Sequence, residues 1–271
     1  MMDQHRHLPE TDRLSTLTAT IMLAYALTPF IKFPEQVISI NLFGIIFSYR
    51  YTFTTVVTIL VAVLAAVGTI YLLQTHPQVR SKEIWQHSLL PALTAWAIGI
   101  PLSAIKISPE WWGVFFLAGA LLTLVFVTEF IVVDPDDTLY PVASVAITAL
   151  SFALYFILVT GSREGMLRIY LLIPTVGITM LMVSLRTLHL RFGNRWDLVW
   201  SLAIAMTAGG LAIGLHYLPL SPIKFGLLLL GVAYGLTNLA GNLIERRQGF
   251  SQWVEPGLVT LVLWLFALLL G

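Results

Sequence analysis

WWGVFFLAGALLTLVFVTEFIVVDPDDTLYP (Trp111–Pro141) is an apolar run from Trp111 to Val133, interrupted by one acid, Glu129, and closed by Asp134-Pro135-Asp136-Asp137. A run of that length crosses bilayer hydrocarbon as a helix, which takes roughly 20 apolar residues and tolerates about 17 to 25. Outward from it, the same window finds Leu14–Ile31, Thr52–Leu73, Ser88–Ile105, Leu139–Thr160, Ile169–Leu185, Leu198–Tyr217, Phe225–Leu243 and Pro256–Gly271. Turn formers and charges separate these runs, as in Gly161-Ser162-Arg163-Glu164 and Gly193-Asn194-Arg195. The expected fold is all-α, a polytopic transmembrane helix bundle of nine helices forming one integral membrane domain over residues 1–271.

Composition points the same way. Hydrophobic residues make up 58% and charged residues 11%, against roughly a quarter charged in soluble domains. With 15 Lys/Arg against 14 Asp/Glu, the chain has no basic field for nucleic acid. The partners expected are membrane lipids and a membrane protein or a second copy of the chain. The cysteine count is 0, which excludes disulfides and thiolate metal or cluster sites. Met1–Arg13 mixes charges of both signs and reads as a retained tail, although Leu23-Ala24-Tyr25-Ala26 has the small-x-small form of a cleavage site.

Orientation follows from basic residues, which favour the cytoplasmic side. With the N-terminus inside, nine fall inside (Arg6, Arg13, Arg80, Lys82, Arg186, Arg191, Arg195, Arg246, Arg247) and six outside (Lys32, Arg50, Lys106, Arg163, Arg168, Lys224). The sequence therefore predicts a plasma-membrane protein with a cytoplasmic N-terminus and an external C-terminus. Trp111, Trp112, Tyr140, Trp196, Trp200 and Trp253 flank the runs as an interfacial aromatic belt would. Pro91, Pro101 and Pro174 lie inside runs and read as packing kinks, with a transport site as the alternative.

Gln36–Arg50 is apolar yet too short to span as a helix. With a turn at Phe43-Gly44, Leu42 meets Ile45, Ile40 meets Phe47 and Ile38 meets Tyr49 on one face, while Ser39 meets Ser48 on the other. This predicts a short β-hairpin over residues 36–51, placed at the outer surface because an open strand edge cannot sit in lipid. A re-entrant or interfacial helix is the alternative, since Phe suits a type I′ turn poorly.

An acid inside a membrane helix is a functional candidate by its cost alone. Glu129 precedes Val133 by four residues, about 6 Å of helix, which puts it near the inner edge as an interface anchor or a cavity-lining group. Asp134, Asp136 and Asp137 could hold a divalent cation through oxygen, but they form a single acidic cluster. A turn leading to an N-cap at Asp137 or Thr138 is preferred, and no metal is expected. Gly231, Gly235, Asn238, Asn242 and Glu245 recur at spacings of 4, 3, 4 and 3 along one helical face. The preferred reading joins Gly231 and Gly235 with Gly210 and Gly214 in tight packing of the seventh and eighth helices. The functional alternative is an inner-side polar pocket of Glu129, Arg186, Asn238 and Asn242, with Ser184 nearby.

No cofactor is expected. His189 and His216 end their helices on opposite sides, so they cannot share a haem, and His5, His7, His76 and His87 lie in the tail and a loop as solvated imidazoles. The sequence contains no H-E-x-x-H, Gly-x-Ser-x-Gly or phosphate-loop motif.

Val132-Val133-Asp134-Pro135-Asp136-Asp137-Thr138-Leu139-Tyr140-Pro141, set between two apolar helices, resembles a segment of an uncharacterised family of multi-pass prokaryotic membrane proteins. Gln36–Arg50 after the first helix is similar too. The resemblance implies this topology over most of the chain and no activity. Three functions stay open: a non-enzymatic scaffold, assembly or accessory subunit, which is preferred; a small permease or lipid-handling transporter; and a metal-dependent lipid-phosphate enzyme. A hydrated pocket around Glu129 and Asn238 would favour the second, and a divalent ion at Asp134 and Asp136 the third.

Overall fold

The structure is a computed structural model describing residues 9–31, 34, 36–42, 45–76, 84–165, 168–193, 196–246 and 249–270. Its helices are α1 (Thr11–Leu27), α2 (Phe53–Leu73), α3 (Leu89–Ala104), α4 (Pro109–Ile131), α5 (Tyr140–Glu164), α6 (Ile169–Phe192), α7 (Leu198–His216), α8 (Pro222–Ile244) and α9 (Ser251–Leu269). Seven of them, α2 and α4 through α9, are long and apolar enough to cross a membrane. α1 and α3 are shorter, at 17 and 16 residues. Pro29 ends α1 early because it has no amide to donate to the next helical carbonyl, and the chain leaves through a 3₁₀ turn, Thr28–Phe30.

The sequence reads as one domain; the folded chain gathers into two compact units, Met1–Tyr140 and Pro141–Gly271. In the first, α2 packs on α3, α3 on α4, and α1 against both α2 and α4. Its core joins Ile21 and Tyr25 of α1, Val61 and Leu72 of α2, Ile98 and Leu102 of α3, and Leu122 and Phe126 of α4. Gly68 and Gly99 make room for Leu17 and Thr58, which a Cβ would strike. Ser108 starts α4, its hydroxyl accepting the Trp111 amide, with Pro109 at the first position, where no donor is needed. Trp111 corrects the aromatic-belt expectation: it is buried at 1% exposure, and its Nε1 donates to the Leu102 carbonyl at 3.0 Å. A buried indole needs that acceptor.

Between α1 and α2, β1 (Gln36–Leu42) and β2 (Ile45–Tyr51) pair antiparallel. Leu42 stands opposite Ile45, Ile40 opposite Phe47 and Ile38 opposite Tyr49. The Phe43-Gly44 turn lies outside the described residues, as do His5, His7, Lys32, Arg80, Lys82, Arg195 and Arg247.

In the second unit α6 packs on α7, and α8 on α9, α7 and α6. The buried side of α7 is Ser201, Ile204, Ala205, Ala208, Gly209 and Ala212. Gly210 and Gly214 are exposed, and a Cβ on either would meet nothing within 4 Å. Their expected packing role is thus corrected. One residue along a helix is a rotation of about 100°, which turns this glycine pair off the contact that Gly209 makes with Ile173. Gly231 and Gly235 of α8 face α9 instead of α7. The Thr260 hydroxyl lies 2.9 Å from the Gly231 carbonyl, and Trp264 Nε1 donates to the Leu228 carbonyl at 3.1 Å.

These contacts separate the glycines by measurement. A Cβ at Gly235 would displace Thr260 and lose its hydrogen bond, so Gly235→Ala should destabilise the purified chain by about 1–3 kcal/mol. Gly210→Ala should leave the detergent melting temperature unchanged or raise it, by up to about 1 kcal/mol of stability. Equal melting losses in both variants would contradict this assignment.

Candidate functional site

Two polar clusters sit at helix ends, one in each unit. In the first, the end of α4 carries Glu129 and Phe130, and the 3₁₀ turn Ile84–Ser88 carries His87. Glu129 Oε2 and His87 Nδ1 lie 2.8 Å apart. Glu129 is 0% and His87 8% exposed. His76, just past α2, is also buried and sets its ring edge-on to Phe130 at 4.7 Å. Two expectations are overturned here: Glu129 is an internal group rather than a headgroup anchor, and His76 and His87 are not solvated. The reason is energetic. A carboxyl group taken out of water needs a partner, and the imidazole beside it offers a hydrogen-bonding nitrogen that the apolar turns of α4 lack.

Asp134 and Asp137 follow on the same chain, 1% and 4% exposed. Asp134 Oδ1 accepts the Asp136 amide at 3.0 Å, and Asp137 Oδ1 accepts the Leu139 amide at 2.7 Å. Each is an Asx turn, which shapes the passage into α5. Asp136 is exposed. Among the described residues, no three His, Asp or Glu side chains gather as a metal site.

In the second unit the polar stripe of α8 meets α6 and α9. Arg191 donates from Nε to Glu245 Oε1 at 2.6 Å, and from Nη2 to Glu245 Oε2 at 2.9 Å and Asn242 Oδ1 at 2.7 Å. Its Nη1 reaches the Asn238 carbonyl at 3.4 Å. This forked contact suits the planar guanidinium, which meets both oxygens of one carboxylate. Gly241 makes it possible: a Cβ there would lie 2.2 Å from Arg191 Nη1. Asn242 Nδ2 also donates to the Gln252 carbonyl at 2.8 Å, tying in α9, and Asn238 Nδ2 donates to the Tyr234 carbonyl at 3.1 Å.

Of the four candidate pocket residues, Glu129 lies in the first unit and Arg186, Asn238 and Asn242 in the second. Asn238 and Asn242 both contact Arg191, whereas Glu129 belongs to the first unit and is held by His87. Arg186 is a buried side chain of α6, and Ser184 back-bonds to the Met180 carbonyl at 2.8 Å. Arg191, His87 and His76 are the polar residues the sequence undervalued. The signal for Arg191 was the acid at the end of the Gly-Asn stripe, which calls for a cation. Nothing local marks the histidines, because their burial depends on helices far away in the chain. His189 stacks on Trp196 at 5.1 Å, and His216 Nδ1 lies 3.0 Å from Arg163 Nη1.

Each unit also has a cavity lined by its described residues. A groove of about 530 Å³ between α8 and α9 is lined by Leu236, Leu239, Trp253, Pro256, Thr260 and Trp264 among others. A pocket of about 380 Å³ in the first unit is lined by Tyr25, Thr28, Thr54, Ser103 and Lys106 with apolar neighbours. Neither lining includes Glu129, Arg186, Asn238 or Asn242.

Breaking a buried ionisable pair from one side is costly. Glu129→Ala should destabilise the chain by about 3–5 kcal/mol, and Glu129→Gln, which keeps shape and an acceptor for His87, by less than half of that. Detergent unfolding of both variants checks this ordering. Loss of less than about 1 kcal/mol in Glu129→Ala, the size expected of a surface pair, would contradict the burial.

Comparison with curated proteins and with solved structures gave no match. The family model described as "Protein of unknown function (DUF5656)" matches residues 33–270, and the chain belongs to that family.

Proposed function

We propose that this chain is an integral protein of the plasma membrane that works as a non-enzymatic scaffold, assembly or accessory subunit. The observation that carries this reading is how polar side chains near the helix ends are spent. Glu129 is taken by His87, Asn242 by Arg191 and the Gln252 carbonyl, and Asn238 by a carbonyl of its own helix. A transporter instead needs polar groups turned toward a hydrated path. α9 adds support, because Leu258, Leu261, Leu265 and Phe266 are exposed along it. Such a face is covered by lipid or by a helix of another membrane protein or a second copy, where shape and small residues decide the fit.

In the proposed topology all nine helices cross, with α1 and α3 extended by their flanking turns. The N-terminus is cytoplasmic and the C-terminus external, following the nine-to-six distribution of basic residues. The β1–β2 hairpin then lies at the outer surface. Membrane lipids are the immediate partners.

A small permease is the second reading, favoured by one feature: a buried carboxyl–imidazole pair can exchange a proton. A lipid-phosphate enzyme has less support, since the Asp134 and Asp137 side chains each accept a backbone amide.

Proteoliposomes containing a pH-sensitive dye separate the first two. Under the scaffold reading, proton flux through the reconstituted chain equals that of empty vesicles, and Glu129→Gln changes nothing. A wild-type flux that Glu129→Gln abolishes would transfer the assignment to the permease.

A further inference from the structure

The first-unit pocket has a chemistry that neither the helix packing nor the Glu129–His87 pair uses. It opens where α1 and α3 end and α2 begins, with Tyr25 and Gly99 among its lining and Ser103 and Lys106 exposed. Its volume of about 380 Å³ falls in the range of small-ligand sites, which starts at roughly 300 Å³.

Three of the lining hydroxyls have already spent their protons on helix carbonyls. Tyr25 donates to Ala95, Thr28 to Ala24 at 2.9 Å and Ser103 to Ile100 at 2.8 Å. A hydroxyl that has donated keeps acceptor capacity, so the Thr28 and Ser103 oxygens can offer lone pairs to a ligand. Among the described residues Lys106 is the one cation in the lining, and it brings three donors and a positive charge. Thr54 lies in the first turn of α2, whose helix dipole favours an anion. Leu102, Ile105, Ile107 and Pro29 supply apolar wall. One anion-binding point, these acceptor oxygens and apolar wall form a mixed recognition surface.

We infer that this pocket binds a phosphodiester whose other side carries hydrogen-bond donors, with the phosphate on Lys106 and an ammonium or hydroxyl on the Thr28 and Ser103 oxygens. Ethanolamine and glycerol phosphodiesters have that chemistry; a choline phosphodiester has the phosphate but no donor. Such a group reaches the pocket either as the headgroup of a bilayer lipid or as a soluble ester. The lipid source alone rests on the membrane reading proposed above.

The test is native mass spectrometry of the full chain in detergent, titrated separately with phosphatidylethanolamine, phosphatidylglycerol, phosphatidylcholine and soluble glycerophosphoethanolamine. The inference expects the ethanolamine or glycerol lipid to be retained in preference to the choline lipid. It expects Lys106→Ala to weaken that retention about fivefold, the effect of one basic residue on an anionic group at a membrane surface. Ser103→Trp, an exposed position whose larger side chain would fill the pocket, should abolish it. Binding of the soluble ester with the same dependence on Lys106 and Ser103, without lipid retention, supports the pocket and assigns it a soluble occupant, which would count against the lipid source and not the site. Equal retention of the choline lipid, or retention unchanged in both variants, overturns the inference. Melting curves matching wild type confirm that the two variants are folded.

Discussion

A polar group carried into an apolar helix has to end on a partner within the chain, and much of this structure is arranged by that requirement. The commonest solution is local. Hydroxyls of Thr58, Thr94, Ser151 and Thr237 donate to the carbonyl four residues back, at 2.7–2.8 Å. Such a bond satisfies the side chain without outside help. An acid or an arginine has no equivalent on its own helix, so its partner must come from elsewhere. Glu129 draws in the 3₁₀ turn before α3, and Glu245 draws in the end of α6. Each ion-like contact therefore fixes where a connecting segment or a helix end sits.

Close approach is the second constraint. Where α9 lies on α8, Gly231 and Gly235 leave space for the backbone at Thr260 and Pro256 and for the Trp264 ring. Gly241 does the same for a guanidinium. The stripe of α8 thus changes use along its length, from helix contact at its glycines to charge recognition at Asn242 and Glu245. The scaffold reading draws on this economy, because groups that could line a path are engaged in holding helices together. The first-unit pocket differs, since its Thr28 and Ser103 hydroxyls are satisfied as donors yet retain acceptor capacity.

The helices were legible because transfer into an apolar medium is close to additive along a run, and a run such as Trp111–Val133 needs no knowledge of its neighbours. Helix limits were less so at α1, where Pro29 shortens the run. The polar stripe of α8 was legible from its 4-3-4-3 spacing, which states which residues share a face. It does not state which helix meets that face, and the sequence assigned α7 where α9 packs.

Sequence by itself therefore determined the apolar runs, the turn chemistry of Asp134–Asp137 and the composition of each helical face. Tertiary structure decided the pairings: His87 with Glu129 across 42 residues and Arg191 with Glu245 across 54. It also decided that Gly209, and not Gly210, faces a neighbouring helix. Burial and partner choice depend on how helices rotate and approach one another. A rotation of about 100° per residue means that a shift of one position, too small to change any run or its hydropathy, exchanges a contact for exposure.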